Sequence, residues 1–484
     1  MDSFIQSPSS HAAAVKNPKL LGGPFMDLSA ERLEDVKKLA LETRQTPLVE
    51  LSRAICELDA MLQASATGYS LEPLYERIPQ PLQGYVELVY DLNNNPSFRL
   101  IEPLLYRSPY YNSSLQTLML SLITGDDRPF VLSTPRFHES GNVHLRTPFA
   151  SEPVDFLFGL KQQPATFSRI KDVLGFSDED DEVFKSFLTS VPNRRSERYQ
   201  GAGARWRYFG HACILLEAGG ASILTDPVLS YTYDNKISRY TYEDIPEVID
   251  CVLITHNHQD HLLFETLLQL RNRIGTIVVP RNAGGTLQDP SMKLILKECG
   301  FENVVEMEEM EETQFGPLSI TAIPFLGEHG DLDVRTKMAY LARVNNHSIL
   351  FAADSCNISP PMYKHVHDHV GDVDVLFLGM ECDGAPMSWL YGPLLTRKMD
   401  RDKDHSRRLA GSHFARAKSI VDQFHSKEVY VYAMGQEPWL NYVMSVKYTP
   451  ESNPIIQSNQ LIEACRSEGL VAERLFGEKE ILFS

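Results

Sequence analysis

The apolar run Asp250-Cys-Val-Leu-Ile-Thr255 leads straight into His256-Asn-His-Gln-Asp-His261. Three imidazoles and a carboxylate thus stand within six residues at the end of a strand-like segment. Side chains two apart on an extended backbone point the same way, so His256 and His258 can grip one ion. Asp260 and His261, where the loop turns into a helix, can face a second. Imidazole with carboxylate suits zinc, iron or manganese, and strand ends are where loops can bring such ligands together. A polar turn with chance histidines is the bland alternative. The HxHxDH spacing directly after a hydrophobic strand argues against it.

The rest of the chain frames this motif. Residues 191–204 are polar, basic and glycine-containing without an apolar period, which marks a linker between regions 1–200 and 201–484. Before the linker the pattern is mainly helical, at 28–43, 47–63, 81–94 and 112–123, with a short hairpin over 130–138 and 142–146 turning at Glu139-Ser-Gly141. No chemical motif falls there, so the plain expectation is a mainly helical α+β domain for dimerisation or partner binding. After residue 204, strands are expected at 205–217, 221–225, 249–255, 276–280, 318–324, 339–344, 348–352, 373–378 and 429–433, with helices at 262–271 and 412–424. Strand pairs followed by helices in two rounds fit an α/β fold of the αβ/βα sandwich type.

Charge and cysteine usage exclude some partners. Lys plus Arg number 46 against 64 Asp plus Glu, a net charge of −18, and that lacks the basic footprint nucleic-acid binding needs. The seven cysteines are scattered without a CxxC pair, as idle thiols in a reducing cytoplasm would be. The first 20 residues lack the basic start and apolar run of a signal peptide, and no stretch nears the roughly 18 apolar residues of a membrane span. A cytoplasmic protein without membrane contact is expected.

With its surroundings, the motif resembles the metallo-β-lactamase superfamily. The Tyr208-Phe-Gly-His-Ala-Cys-Ile-Leu-Leu-Glu217 segment followed by Ile223-Leu-Thr-Asp-Pro227 is similar to the opening hairpin of its lactonase-like branch. By that resemblance, Asp226 is the buried aspartate that orients a ligand. His211 either lines the site or is a satisfied structural histidine. Asp354, in Phe351-Ala-Ala-Asp-Ser355, matches the aspartate that bridges two ions, where a carboxylate neutralises charge and sets their spacing. His413, in Gly411-Ser-His-Phe-Ala-Arg-Ala417, sits where the superfamily places its last histidine, with His405 and His425 as weaker candidates.

One departure is informative. Hydrolases of the superfamily usually carry a further histidine between these motifs. Here the stretch reads Ile323-Pro-Phe-Leu-Gly-Glu-His-Gly-Asp331. Glu328 and His329 are adjacent, and neighbours on an extended segment point oppositely, so one ligand is expected from the pair. His329 makes an imidazole-rich site. Glu328 supplies a hard anionic oxygen and shifts preference from zinc towards iron or manganese. The Gly-Glu-His-Gly-Asp context and the long N-terminal region resemble the non-haem diiron β-hydroxylases of natural-product pathways.

That resemblance implies two iron ions, O2 and an external electron donor. It implies His256, His258 and Glu328 on one iron, Asp260, His261 and His413 on the other, and Asp354 between them. It implies as partner the aminoacyl carrier domain of a nonribosomal peptide synthetase, and a homodimer built through the N-terminal region. Zinc lacks the redox change such chemistry needs. A dizinc hydrolase of lactones or phosphodiesters is the competing reading. Residues 379–393 are rich in Gly, aromatic and sulfur side chains and read as substrate-pocket wall, in which Glu381 or Asp383 can anchor an amino group.

Overall fold

The computed structural model describes residues 1–8, 26–132, 134–194, 196–444 and 446–483. Part of the N-terminal stretch read for a signal peptide lies outside the described residues, as do Ser133 and Arg195.

Eighteen strands can be numbered along the described chain. In the N-terminal region they are β1 (Val86–Tyr90), β2 (Pro96–Leu100), β3 (Thr117–Ser121) and β4 (Asn142–Arg146). The next six are β5 (Ala204–Tyr208), β6 (Ile214–Ala218), β7 (Ala221–Thr225), β8 (Ile249–Leu253), β9 (Ile274–Pro280) and β10 (Val304–Met307). Then follow β11 (Glu312–Phe315), β12 (Leu318–Ile323), β13 (Ala339–Val344), β14 (His347–Phe351), β15 (Val375–Gly379) and β16 (Glu428–Tyr432). β17 (Val471–Arg474) and β18 (Lys479–Phe483) end the chain.

Two seven-stranded sheets face each other. Their orders are β10-β9-β8-β7-β6-β5-β18 and β11-β12-β13-β14-β15-β16-β17. Between them lies an aromatic core that includes Trp206, Tyr208, Phe351, Phe377, Tyr430 and Tyr432. Helices cover both outer faces, so the strands are apolar on two sides. In β8, Cys251 and Leu253 join the inner core, while Ile249 and Val252 pack outward with Leu267 and Leu296 of the covering helices. Central parallel strands read as near-continuous apolar runs for this reason. The second sheet is backed by Pro360–Val370, Phe414–Phe424 and Asn453–Ser467. This is the four-layered αβ/βα sandwich.

The topology gathers chain ends at one rim. β7 and β8 are parallel, so Asp226 and Thr255 emerge side by side, and Asp226 N–H donates to Leu253 O at 3.0 Å. β14 and β15 are also parallel, which places Asp354 beside the exit of β15, with Gly379 N–H donating to Ala353 O at 2.8 Å. The chain's last strand pairs antiparallel with β5, so the C-terminus returns to the first sheet.

The N-terminal region departs from the sequence expectation in three places. Helices do form at Leu33–Arg44 and Pro47–Ser65, the latter burying Ala54, Leu58 and Leu62 at a spacing of four. The helix expected over 81–94 is instead a short 3-10 turn and β1, because Gly84 adopts φ +80 and Val86-Glu-Leu-Val-Tyr90 buries alternate positions. The helix expected over 112–123 is a 3-10 turn and β3. The expected hairpin is replaced by β3–β4 pairing, with Leu118 opposite Leu145, so 142–146 finds its partner in the preceding run. The tertiary partner overrode helical propensity in both runs. The single strand expected over 205–217 is a hairpin, broken where Gly210 and His211 adopt φ +108 and +50.

The N-terminal region packs on the helical face of the first sheet, where Leu118, Phe149 and Phe158 meet the outer core. Three ion pairs stitch the seam: Arg239 with Asp126 (2.7 Å), Arg128 with Glu265 (2.8 Å) and Arg271 with Asp155 (2.9 Å). The polar stretch after residue 191 is also tied down, with Arg198 donating to the carbonyls of Val248 and Gly220. No helix of the described residues is long and apolar enough to cross a membrane.

Candidate metal centre

Asp226, at the end of β7, organises the rim. It is fully buried and accepts from Thr255 N–H (2.7 Å), Thr255 Oγ1 (2.6 Å) and His261 Nδ1 (2.8 Å). The Thr255 hydroxyl proton is thereby committed to Asp226, so Oγ1 accepts from His256 Nδ1–H at 3.0 Å. Both imidazoles are thereby fixed through Nδ1, with Nε2 turned into the site. His258 is fixed on its other nitrogen, with Nε2 3.1 Å from the Tyr391 hydroxyl. Its Nδ1 lies 3.4 Å from Glu328 Oε1.

These atoms converge. Asp354 Oδ2 is 2.9 Å from His261 Nε2 and 3.7 Å from His256 Nε2. Asp260 Oδ2 is 3.6 Å from His261 Nε2 and 3.1 Å from His211 Nε2. Two overlapping ligand groups result, His256–His261–Asp354 and His211–Asp260–His261. The buried atoms His256 Nε2, His261 Nε2 and Asp354 Oδ1 have no hydrogen-bond partner. Buried polar atoms are normally paired, and lone pairs turned on a common point are what cations complete. The donor set therefore fits a pair of metal ions.

The electrostatics divide the imidazoles: burial works against charge on His261, yet Asp260, Asp354 and Asp226 raise it well above its ordinary value. Burial, and then the neighbouring imidazoles, push His256 well below its ordinary value. Burial brings His258 down to about 4. Both are neutral near pH 7, as metal-binding imidazoles must be. Burial works against the Asp260 carboxylate, yet His261 and His211 hold it below the usual range. Glu328 is pushed well above its ordinary value by burial and by facing Asp354 and Asp260. Acidic groups crowded in this way are what a pair of metal cations would relieve.

Strain marks the same place. His211, Asp226 and Glu328 adopt φ of +50, +33 and +68, and Ala353, next to Asp354, adopts +46. Side chains other than glycine rarely occupy that region, and such strain gathers at functional sites. The turn at Gly327 and Glu328 removes the extended geometry assumed for the Glu328–His329 pair. Both side chains turn inwards and are buried, with the His329 ring 4.5 Å from that of His258.

His413 is half-buried at the start of the Phe414–Phe424 helix, where Arg416 is its charged neighbour; like His258 and Glu328 it is not part of either of the two close groups. The imidazole brought against Asp260 and His261 is that of His211, which the sequence left undecided. His405 lies in the Arg401–Ser406 helix. His425 pairs with Asp372 and His367 on the surface. In the 379–393 segment, Asp383 accepts from Asn453 Nδ2 (2.9 Å), whereas Glu381 is pushed well up by burial and by Glu328, Asp354 and Asp260. Tyr391 falls in the 379–393 segment read as pocket wall, but a lone tyrosine carries no local signal of the histidine it will meet.

The sequence matches two family models. Residues 1–192 match the diiron non-heme beta-hydroxylase N-terminal domain, and residues 221–389 match a beta-lactamase superfamily domain. The chain is 40% identical to the 4-amino-L-phenylalanyl-[CmlP-peptidyl-carrier-protein] 3-hydroxylase of Streptomyces venezuelae, over 98% of this chain and 91% of that one. The chain belongs to the diiron non-haem β-hydroxylase family. The crystal structure of CmlA, a diiron β-hydroxylase from Streptomyces venezuelae, superposes with a TM-score of 0.91 at 38% identity, covering 100% of this chain and 92% of that one. A mutant of that β-hydroxylase superposes with a TM-score of 0.89 at 37% identity. The protein is accordingly an oxidoreductase, a diiron amino-acid β-hydroxylase on the metallo-β-lactamase fold. The iron that the resemblance implies agrees with this family.

Proposed function

We propose that this β-hydroxylase inserts one oxygen atom from O2 at the β-carbon of an aminoacyl group held as a thioester on a nonribosomal peptide synthetase carrier domain, with electrons from an external donor. The observation that carries this reading is the Glu328 carboxylate beside His258 Nδ1, where hydrolases of the fold use an imidazole. The carrier-bound substrate named for the Streptomyces venezuelae relative supports the tethered form. We assign His256, His258 and Glu328 to one iron and Asp260 and His261 to the other, with Asp354 between them. Bound there, an iron pair supplies the redox change needed to activate O2 against an unactivated C–H bond.

The chain's own groups do the rest. Asp226 and Thr255 fix two imidazoles, and Tyr391 fixes the third. The short Met387–Tyr391 helix brings part of the 379–393 wall onto His258. Glu381 of that wall, raised by burial and by acidic neighbours, suits the substrate's α-ammonium, which would relieve that crowding. The N-terminal region, whose Leu41, Leu48, Leu104, Leu115 and Leu122 remain exposed, serves self-association and carrier docking in this reading.

Reduced, iron-loaded protein given O2 and an aminoacyl carrier should yield a product heavier by one oxygen atom, labelled when the O2 is labelled. The free amino acid should react poorly, because docking supplies the orientation. Anaerobic, zinc-dependent cleavage of a lactone or phosphodiester, with no labelled product, would replace this reading with the hydrolase.

A further inference from the structure

His211 lies in the β5–β6 turn and is fully buried. The turn is closed by hydrogen bonds between Phe209 and Cys213 (2.9 Å) and between Cys213 and Gly210 (3.0 Å). The His211 carbonyl accepts from Ala433 N–H at 2.9 Å, at the exit of β16. So both sheets fix a residue held at φ +50. Its Nε2 lies 3.1 Å from Asp260 Oδ2, and its ring stands 4.8 Å from that of His261 at 60°. This geometry allows two roles, a metal ligand or a hydrogen-bond donor to Asp260.

The far nitrogen separates them. A histidine that binds metal through one nitrogen carries its proton on the other, and that N–H needs an acceptor. His256 has Thr255 Oγ1 there, His261 has Asp226, and His258 has the Tyr391 hydroxyl. His211 Nδ1 is buried with no partner. A proton on Nδ1 would be an unmet buried donor. With the proton on Nε2, the imidazole donates to Asp260 Oδ2, and only an acceptor lone pair is left over.

We propose that His211 is a positioning residue that donates Nε2–H to Asp260 Oδ2, setting the orientation and basicity of that carboxylate. The proposal rests on the assignment of Asp260 as a ligand. Such partners to ligands carry about a 10–100-fold effect on affinity or activity.

The test uses full-length, iron-loaded protein and three readouts: iron per chain, the absorption spectrum of the diferric form, and kcat separately from KM. His211→Ala should keep two irons, shift the absorption and lower kcat about 10–100-fold with KM little changed. His211→Gln, which restores an N–H donor, should recover part of both. Loss of one iron in either variant would make His211 a ligand and overturn the proposal. Two irons with native absorption and native kcat in His211→Ala would overturn it as well. If the alanine variant does not fold, iron content and spectrum of the glutamine variant decide. An Asp260→Ala protein that holds both irons with native absorption would instead remove the ligand assignment underneath.

Discussion

Strands β6 and β7 of the sandwich are buried at every position, whereas β2 and β3 of the N-terminal region alternate or nearly lie open. The sandwich is covered by helices on both faces and can hold strained backbone and unpartnered polar atoms at its rim. The N-terminal region has smaller cores, around Leu58 and Leu82 and around Val143 and Phe184, and it leaves several leucines in solvent. Sites that fix several ligands within fractions of an ångström need the first kind of environment. Surfaces that meet partners come from the second kind. The two are joined by buried cations of the sandwich, Arg239 and Arg271, whose acidic partners come from the N-terminal side.

Breaking the rim should have the largest effect. Glu328→Ala should lose about one ion per chain and with it measurable hydroxylation, while His329→Ala should keep both ions. Metal analysis of the two variants checks this, and two irons retained in Glu328→Ala would place the carboxylate outside the centre. Next comes Asp226→Ala. It strands Thr255 N–H, Thr255 Oγ1 and His261 Nδ1, and loss of one member of a buried charged pair costs about 3–5 kcal/mol. Denaturant midpoints with metal content measured in parallel would show it. A cost no greater than that of a surface substitution would mean the rim does not depend on this aspartate.

The seam should respond less. Asp126→Ala removes the carboxylate facing Arg239, whose side chain is 2% exposed, but Ser230 Oγ and the Tyr233 hydroxyl still contact the guanidinium. We expect about 1–3 kcal/mol, the cost of a partly compensated buried group. An unchanged unfolding midpoint would show that the two regions are not held by this pair. The smallest effect on stability should come from the N-terminal surface. Leu104→Ser combined with Leu115→Ser should change stability within about 0.5 kcal/mol per site. The same variant should weaken carrier binding or self-association, readable by titration and by sedimentation. Native behaviour in both would move the docking surface elsewhere.

Local chemistry was legible without coordinates because it sits on contiguous backbone. His256, His258, Asp260 and His261 follow one strand, and Asp226 and Asp354 each follow another, so apolar runs and short spacings announce them. The strands of the sandwich were legible for the same reason, since burial on both faces writes a run of apolar residues. Helical readings failed at 81–94 and 112–123, where half-buried strands carry weak patterns and a distant partner decides.

The sequence alone thus determined the fold class, the dinuclear character of the site and the choice of family, through motifs whose ligands are neighbours along the chain. Tertiary structure decided the rest. It brought His211 from the β5–β6 turn and Tyr391 from the 379–393 wall against the candidate ligands, and turned both Glu328 and His329 inwards. Those outcomes depend on left-handed turns and on the packing of two sheets. Neither is a property of any short segment, because each is settled by atoms tens to hundreds of residues away.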